Sequence, residues 1–154
     1  MLRKIPRAYC DTSVIGGILD DEFARPSIRF LGYVKSGMIN LVLSPVVDAE
    51  INMANTPDAV VREYEELLKF CEIIEVSDEA ILLQQQYIKE KILTPKWEDD
   101  ALHVACASVS DCDFIVSWNF KHIVNFQKIP QYNAVNKLHG YHELQIYSPH
   151  EVEI

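Results

Sequence analysis

No uninterrupted apolar run in the 154-residue chain approaches the roughly 20 residues that a membrane-spanning helix needs. The opening stretch MLRKIPRAYCD carries basic residues with no apolar segment behind them, which excludes a secretory signal and makes the cytoplasm the expected compartment. None of the four cysteines, Cys10, Cys71, Cys106 and Cys112, belongs to a CxxC pair. That excludes a zinc ribbon or a thioredoxin-like site and predicts reduced, buried thiols. Internal repeats, low-complexity tracts and long linkers are also missing, so residues 1–154 read as one domain. Positive charge is scarce as well: 14 Lys and Arg against 23 Asp and Glu, a net charge of −9. This argues against a general nucleic-acid binder with a basic face. It leaves room for an enzyme that gathers acids around a divalent cation, because such a cluster inflates the negative count where the metal cancels it.

What is present is ordinary in bulk: 49% hydrophobic and 24% charged residues, enough to build a core without metals or disulfides. Strand and helix patterns alternate. Short apolar strands are expected at 7–11, 38–44, 71–76, 113–118 and 143–148. Between them, 12–19 reads as a short helical turn, and 26–37 as a helix with Pro26 near its start and Gly37 past its end. Residues 44–53 form a helix capped by Ser44 with Pro45 in its first position. Helices are also predicted at 57–70, with surface pairs Asp58/Arg62 and Glu65/Lys69, and at 78–91. A further one spans 95–109, capped by Thr94, and the last spans 129–140, stopped by Gly140. The alternation predicts an α/β fold with a central, mainly parallel sheet and helices on both faces.

Ligands of such sheets bind beyond the carboxyl ends of the strands. Asp11 ends the first strand, and Asn119 follows the strand at 113–118. Glu50 lies within two turns of the start of the helix after the second strand. Asp100 begins the run DALHVACA, where the helix turns small and apolar. Glu98 and Asp99 already supply helix-dipole stabilisation there, and an acid against so apolar a stretch is costly unless it faces a cleft. Three carboxylates and an amide meeting at one edge would repel one another without a cation, and hard oxygen donors suit Mg²⁺ or Mn²⁺.

The segments YCDTSVIGG, LSPVVDAEI, DDALHVACA and DFIVSWNFKHI, in this order and spacing, resemble the PIN-domain family, especially the VapC-type toxins of bacterial toxin–antitoxin pairs. The resemblance spans residues 7–148. It implies a Rossmann-like α/β/α sandwich and a Mg²⁺-dependent endoribonuclease that uses a metal-activated water and leaves a 5′-phosphate and a 3′-hydroxyl. It also implies RNA as substrate, a cognate antitoxin as partner, and a homodimer. The family's acidic positions fall on Asp11, Glu50 and Asp100 as metal ligands; its fourth, usually Asp, falls on Asn119, which is neutral and binds Mg²⁺ more weakly. The alternative is a PIN-fold binding module whose catalytic site has decayed. An aspartyl-nucleophile phosphatase is a poor match, because it needs a second Asp where Ser13 stands.

Each residue also has a plainer role. Asp11 can cap the next helix, although Thr12 and Ser13 can do so too. Asp48 competes with Glu50, and only the resemblance and the face shared with Val46 and Val47 separate them. Thr12, Ser13 and Ser117 are auxiliary candidates. His103 reads as a satisfied core histidine, Asp99 as solvated and Trp118 as packing, with base stacking as its functional alternative. Lys121 and His122 are candidates for RNA phosphates. A small basic patch is expected from Arg3, Lys4 and Arg7 near the start and from Lys121, Lys128 and Lys137 near the end.

Overall fold

The computed structural model describes residues 4–154. Strand β1 (Arg7–Cys10) is the middle of a five-stranded sheet. Its neighbours are β2 (Asn40–Leu43) and β4 (Phe114–Val116), and the edges are β3 (Cys71–Ile73) and β5 (Gln145–Tyr147). The order β3-β2-β1-β4-β5 is parallel throughout. Ala8 pairs with Leu41 and Phe114, and Tyr9 with Val42 and Ile115. Ala8, Tyr9 and Cys10 are fully buried, as a central strand covered on both faces must be.

From β1 the chain runs outward through α1 (Thr12–Gly16), a 3-10 turn (Gly17–Leu19) and α2 (Ala24–Lys35) to β2, then through α3 (Pro45–Ile51) and α4 (Asp58–Leu67) to β3. It returns across the sheet through α5 (Asp78–Lys89) and α6 (Glu98–Val109) to β4 on the other side of β1, and α7 (Lys128–Leu138) leads to β5. Right-handed crossovers with this reversal put the first helices on one face and α5–α7 on the other. The contacts agree: α1 touches α2 and α4, whereas α5 touches α6 and α7. The result is the Rossmann-like α/β/α sandwich expected from the sequence. Strand order reverses between β1 and β4, and the crevice at such a switch point is where open α/β sheets bind ligands.

Local chemistry accounts for most boundaries. Ser44 caps α3 by accepting the Val46 N–H (3.3 Å), with Pro45 at the first position. Pro26 sits in the first turn of α2, which tolerates its missing N–H. Gly37 (φ 78°) and Gly140 (φ 84°) take the left-handed conformation beyond α2 and α7. Three expectations are corrected. The helix expected from residue 95 is a 3-10 turn, Pro95–Trp97, followed by α6, and Thr94 makes no side-chain cap. The strand at 71–76 pairs only over Cys71–Ile73, where it is an edge, so Cys71 is half-buried while the other three thiols are buried. Just past α4, Lys69 bridges to Glu66 (3.0 Å) rather than to Glu65, and Asp58 and Arg62 form no ion pair among the described residues. Across residues 101–108 α6 is buried all round, because it packs against α5, β1 and β4 together.

Candidate active site at the β1–β4 switch point

Asp11 follows β1 in an extended conformation and is 4% exposed. It makes no side-chain cap to α1, so the helix-cap role does not explain it. Both carboxylate oxygens are instead held: Ser13 Oγ donates to Oδ1 (2.6 Å) and Ser117 Oγ to Oδ2 (2.7 Å). Each serine is itself fixed, accepting the backbone N–H of Trp118 and of Asn119 respectively (both 2.9 Å). The chain beyond β4 therefore clamps the acid that ends β1. Burial pushes the Asp11 carboxyl above its ordinary pKa, against the opposing pull of His103 and the two serines.

Glu50 projects from α3. Its Oε1 accepts from Thr12 Oγ1 (3.1 Å) and lies 2.6 Å from His103 Nε2. The other imidazole nitrogen of His103 is 2.7 Å from the Tyr9 hydroxyl, which is 2.7 Å from Ser44 Oγ. A buried polar chain thus runs from the cap of α3 through β1 and α6 back to Glu50. Burial by itself raises the Glu50 pKa, but the hydrogen bond and charge of His103, with help from Thr12, bring it below the ordinary value. His103 shifts up: burial opposes its charged form, and the bond to Glu50 with the fields of Asp11, Glu50 and Asp100 outweighs it. His103 is the satisfied core histidine that was expected, and its partner is a site acid. Asp48 accepts from Tyr64 Oη (2.8 Å) and does not line the cleft that Glu50 lines.

Asp100 is in the first turn of α6, half-buried, with Oδ2 2.8 Å from His122 Nδ1. The His122 backbone N–H donates to Asn119 Oδ1 (2.9 Å), and its ring lies 4.5 Å from that of Trp97. Glu50, Asp100 and Asn119 line one cleft of about 500 Å³, with Asp99, Lys96, Trp97, Lys121 and His122 completing its wall. Asp11 is not in this open wall; it lies behind, close enough to Glu50 and His103 for their charges to act on one another.

The donor set is oxygen-rich and suits a hard cation. Among the described residues no three His, Cys, Asp or Glu side chains already surround one ion position. That is compatible with Mg²⁺, which keeps several waters and takes one or two carboxylates directly. Glu50 and Asp100 at the cleft wall, with Asp11 behind them, are the residues that would hold it.

Several sequence expectations change here. His122 is 6% exposed, and its Nδ1 is committed to Asp100, a role that was not foreseen. Trp118 is packing, as expected: it is also 6% exposed, stacked on Phe23 (4.0 Å between centroids) and bonded through Nε1 to Ser27 (2.8 Å). The basic patch does not assemble as expected. Arg7 is engaged by Ser110 O and Glu72, and Lys128 donates to Ile92 O (2.7 Å). Lys4 precedes β1 at the opposite end of the sheet, Lys137 sits on α7 outside the cleft, and Arg3 lies outside the described residues. Lys121 does reach the cleft, joined by the unforeseen Lys96 and Trp97. Their only sequence signal is adjacency to the acids of WEDDALHVACA. Tyr9 and Ser44 look like plain strand and cap residues, and only the fold brings them to His103.

No family model and no curated protein matches the chain. Solved structures do. A chain of VapBC2 from Rickettsia felis, bound to a DNA fragment from their promoter, is similar over 92% of this chain and 98% of its own, with TM-score 0.61 and 16% identity. A chain of FitAcB from Neisseria gonorrhoeae gives TM-score 0.61 at 13% identity over 94% of this chain and 99% of its own. A chain of DNA-bound VapBC from Salmonella typhimurium gives 0.61 at 14% over 94% and 98%. At such identities the likeness is one of fold, and the fold is PIN-like.

Proposed function

We propose that the protein is a Mg²⁺- or Mn²⁺-dependent endoribonuclease and the toxin component of a toxin–antitoxin pair. The observation that carries this reading is the cleft at the switch-point crevice, lined by Glu50, Asp100 and Asn119, with the buried Asp11 behind it. When bound there, a divalent cation supplies water activation and neutralises charge on the phosphodiester. The chain's own residues do the holding. Ser13 and Ser117 fix both oxygens of Asp11, His103 and Thr12 orient Glu50, and His122 orients Asp100. Asn119 keeps its carbonyl on the His122 N–H and contributes an uncharged wall. Lys121 at the rim offers a phosphate a cation in an otherwise acidic cleft.

The similarity to chains of VapBC and FitAcB complexes supports a protein partner. A cognate antitoxin that places an Arg or Lys in the acidic cleft would replace the charge of the metal. A homodimer working in the cytoplasm belongs to the same reading; no helix among the described residues is long and apolar enough to cross a membrane.

The test is cleavage of RNA by the purified protein with Mg²⁺ or Mn²⁺, analysed for 5′-phosphate ends. Chelation by EDTA and the variants Asp11→Asn and Asp100→Asn should each stop cleavage while circular dichroism stays unchanged. Cleavage at wild-type rate in both variants would remove the assignment. One observation favours a second reading, a binding module with a decayed site: Asp11, Glu50, Asp100 and Asn119 are all already partnered within the protein. Calorimetry separates the two, since absence of Mg²⁺ and Mn²⁺ binding at millimolar concentration favours the module.

A further inference from the structure

Trp97 is the large aromatic side chain of the cleft wall and is 36% exposed, whereas the other tryptophan, Trp118, is buried. It closes the 3-10 turn immediately before the acids of α6. Its ring lies 4.5 Å from the His122 ring at 41°, and His122 is the residue that holds Asp100 and binds Asn119. The indole is therefore tied to the same group that sets the acids in place. Two ammonium groups, one from the neighbouring residue and one from the loop after β4, converge on it: Lys96 Nζ is 5.0 Å from the ring centroid and Lys121 Nζ 5.5 Å. Among the described residues neither lysine has a carboxylate partner, although the chain carries 23 acids to 14 Lys and Arg and the cleft itself is acidic. An indole beside two unpaired cations, at the edge of a carboxylate cluster, is the chemistry that receives a flat π-system attached to an anion.

We propose that Trp97, with Lys96 and Lys121, is a stacking platform for one unpaired nucleobase of single-stranded RNA at the mouth of the cleft. The base takes a face of the indole, and the ammonium groups, on flexible four-carbon stems, move to the adjoining phosphates. A paired base keeps both faces inside its own stack, so the platform selects unpaired segments. The tie through His122 then fixes the distance between the stacked nucleotide and Asp100. This inference rests on RNA being the substrate and adds which feature of it is recognised.

The experiment measures binding in EDTA, where no cleavage occurs, of an oligoadenylate of about six nucleotides and of the same strand annealed to its complement. Wild-type protein should bind the single strand more tightly than the duplex, with quenching of tryptophan fluorescence. Trp97→Ala should weaken single-strand binding about 5- to 100-fold and abolish the quenching, while Trp97→Phe retains most of the affinity. Lys96→Ala/Lys121→Ala should also weaken binding, and this variant decides the matter if Trp97→Ala fails to fold by circular dichroism. Unchanged affinity in Trp97→Ala or in the double lysine variant, equal binding of duplex, or no binding by the wild type would overturn the proposal. Binding that behaves as described without cleavage on adding Mg²⁺ would refute the nuclease reading and leave the platform standing. Cleavage with unaltered Trp97→Ala binding would do the reverse.

Discussion

Asp11 is held by two serines that the sequence places 104 positions apart, at 13 and 117, and each serine is itself locked by a backbone N–H. Such bonds matter because a buried carboxylate without donors swings or takes up a proton, and burial already pushes Asp11 that way. Removing a donor behind a metal-binding acid typically costs ~10- to 100-fold in metal affinity or activity. Ser117→Ala should therefore reduce Mg²⁺-dependent cleavage by about that factor, with the far-ultraviolet spectrum unchanged. Wild-type turnover in this variant would mean that the clamp does not position the acid. Thr12, which donates to Glu50 at 3.1 Å, is the corresponding group on the other wall.

At the level of elements, the approach of the 3-10 turn after α1 to α2 and to the chain after β4 is set by one glycine. A Cβ on Gly17 would stand 2.7 Å from Ser27 Oγ and 2.9 Å from Trp118 Nε1, on top of the 2.8 Å hydrogen bond between them. Overpacking of this kind costs about 1–3 kcal/mol. Gly17→Ala should lower the melting temperature by about 2–4 °C for each kcal/mol lost. Gly16, one residue earlier, has nothing within 4 Å of such an atom and ends α1 in ordinary helical geometry. Gly16→Ala should be neutral or stabilising by up to ~1 kcal/mol. Calorimetric melts of the pair separate a packing requirement from a general preference for glycine. On the opposite face, α6 packs on α5, β1 and β4 through the fully buried stretch that follows Asp100.

Over the whole molecule, a net charge of −9 and a cleft lined by two lysines among the described residues would limit how the proposed RNA substrate binds. Single strands release about 0.7 counterion per phosphate contacted, so log affinity should fall against log salt with a slope of about −1.4. A slope steeper than about −4 would place the RNA on a different, more basic face. The reversal of strand order between β1 and β4 places this cleft, because it leaves a crevice that neither set of crossover helices covers.

The sequence by itself determined the alternation of strands and helices, the Ser44 cap, the glycine stops at 37 and 140, and the four polar residues at strand and helix ends. These are local matters of period, capping and backbone freedom, and they are written within a few residues of where they act. It did not show the break of the predicted 95–109 helix into two parts, because Pro95 suits the first turn of either form. Nor did it show that Arg7 and Lys128 are used up in structural bonds, that His122 holds Asp100, or that Tyr9 and Ser44 reach Glu50 through His103. Those outcomes depend on which side chains a right-handed crossover brings together from distant segments. Only the tertiary structure decides that, because the partners share no spacing that either helix or strand periodicity records.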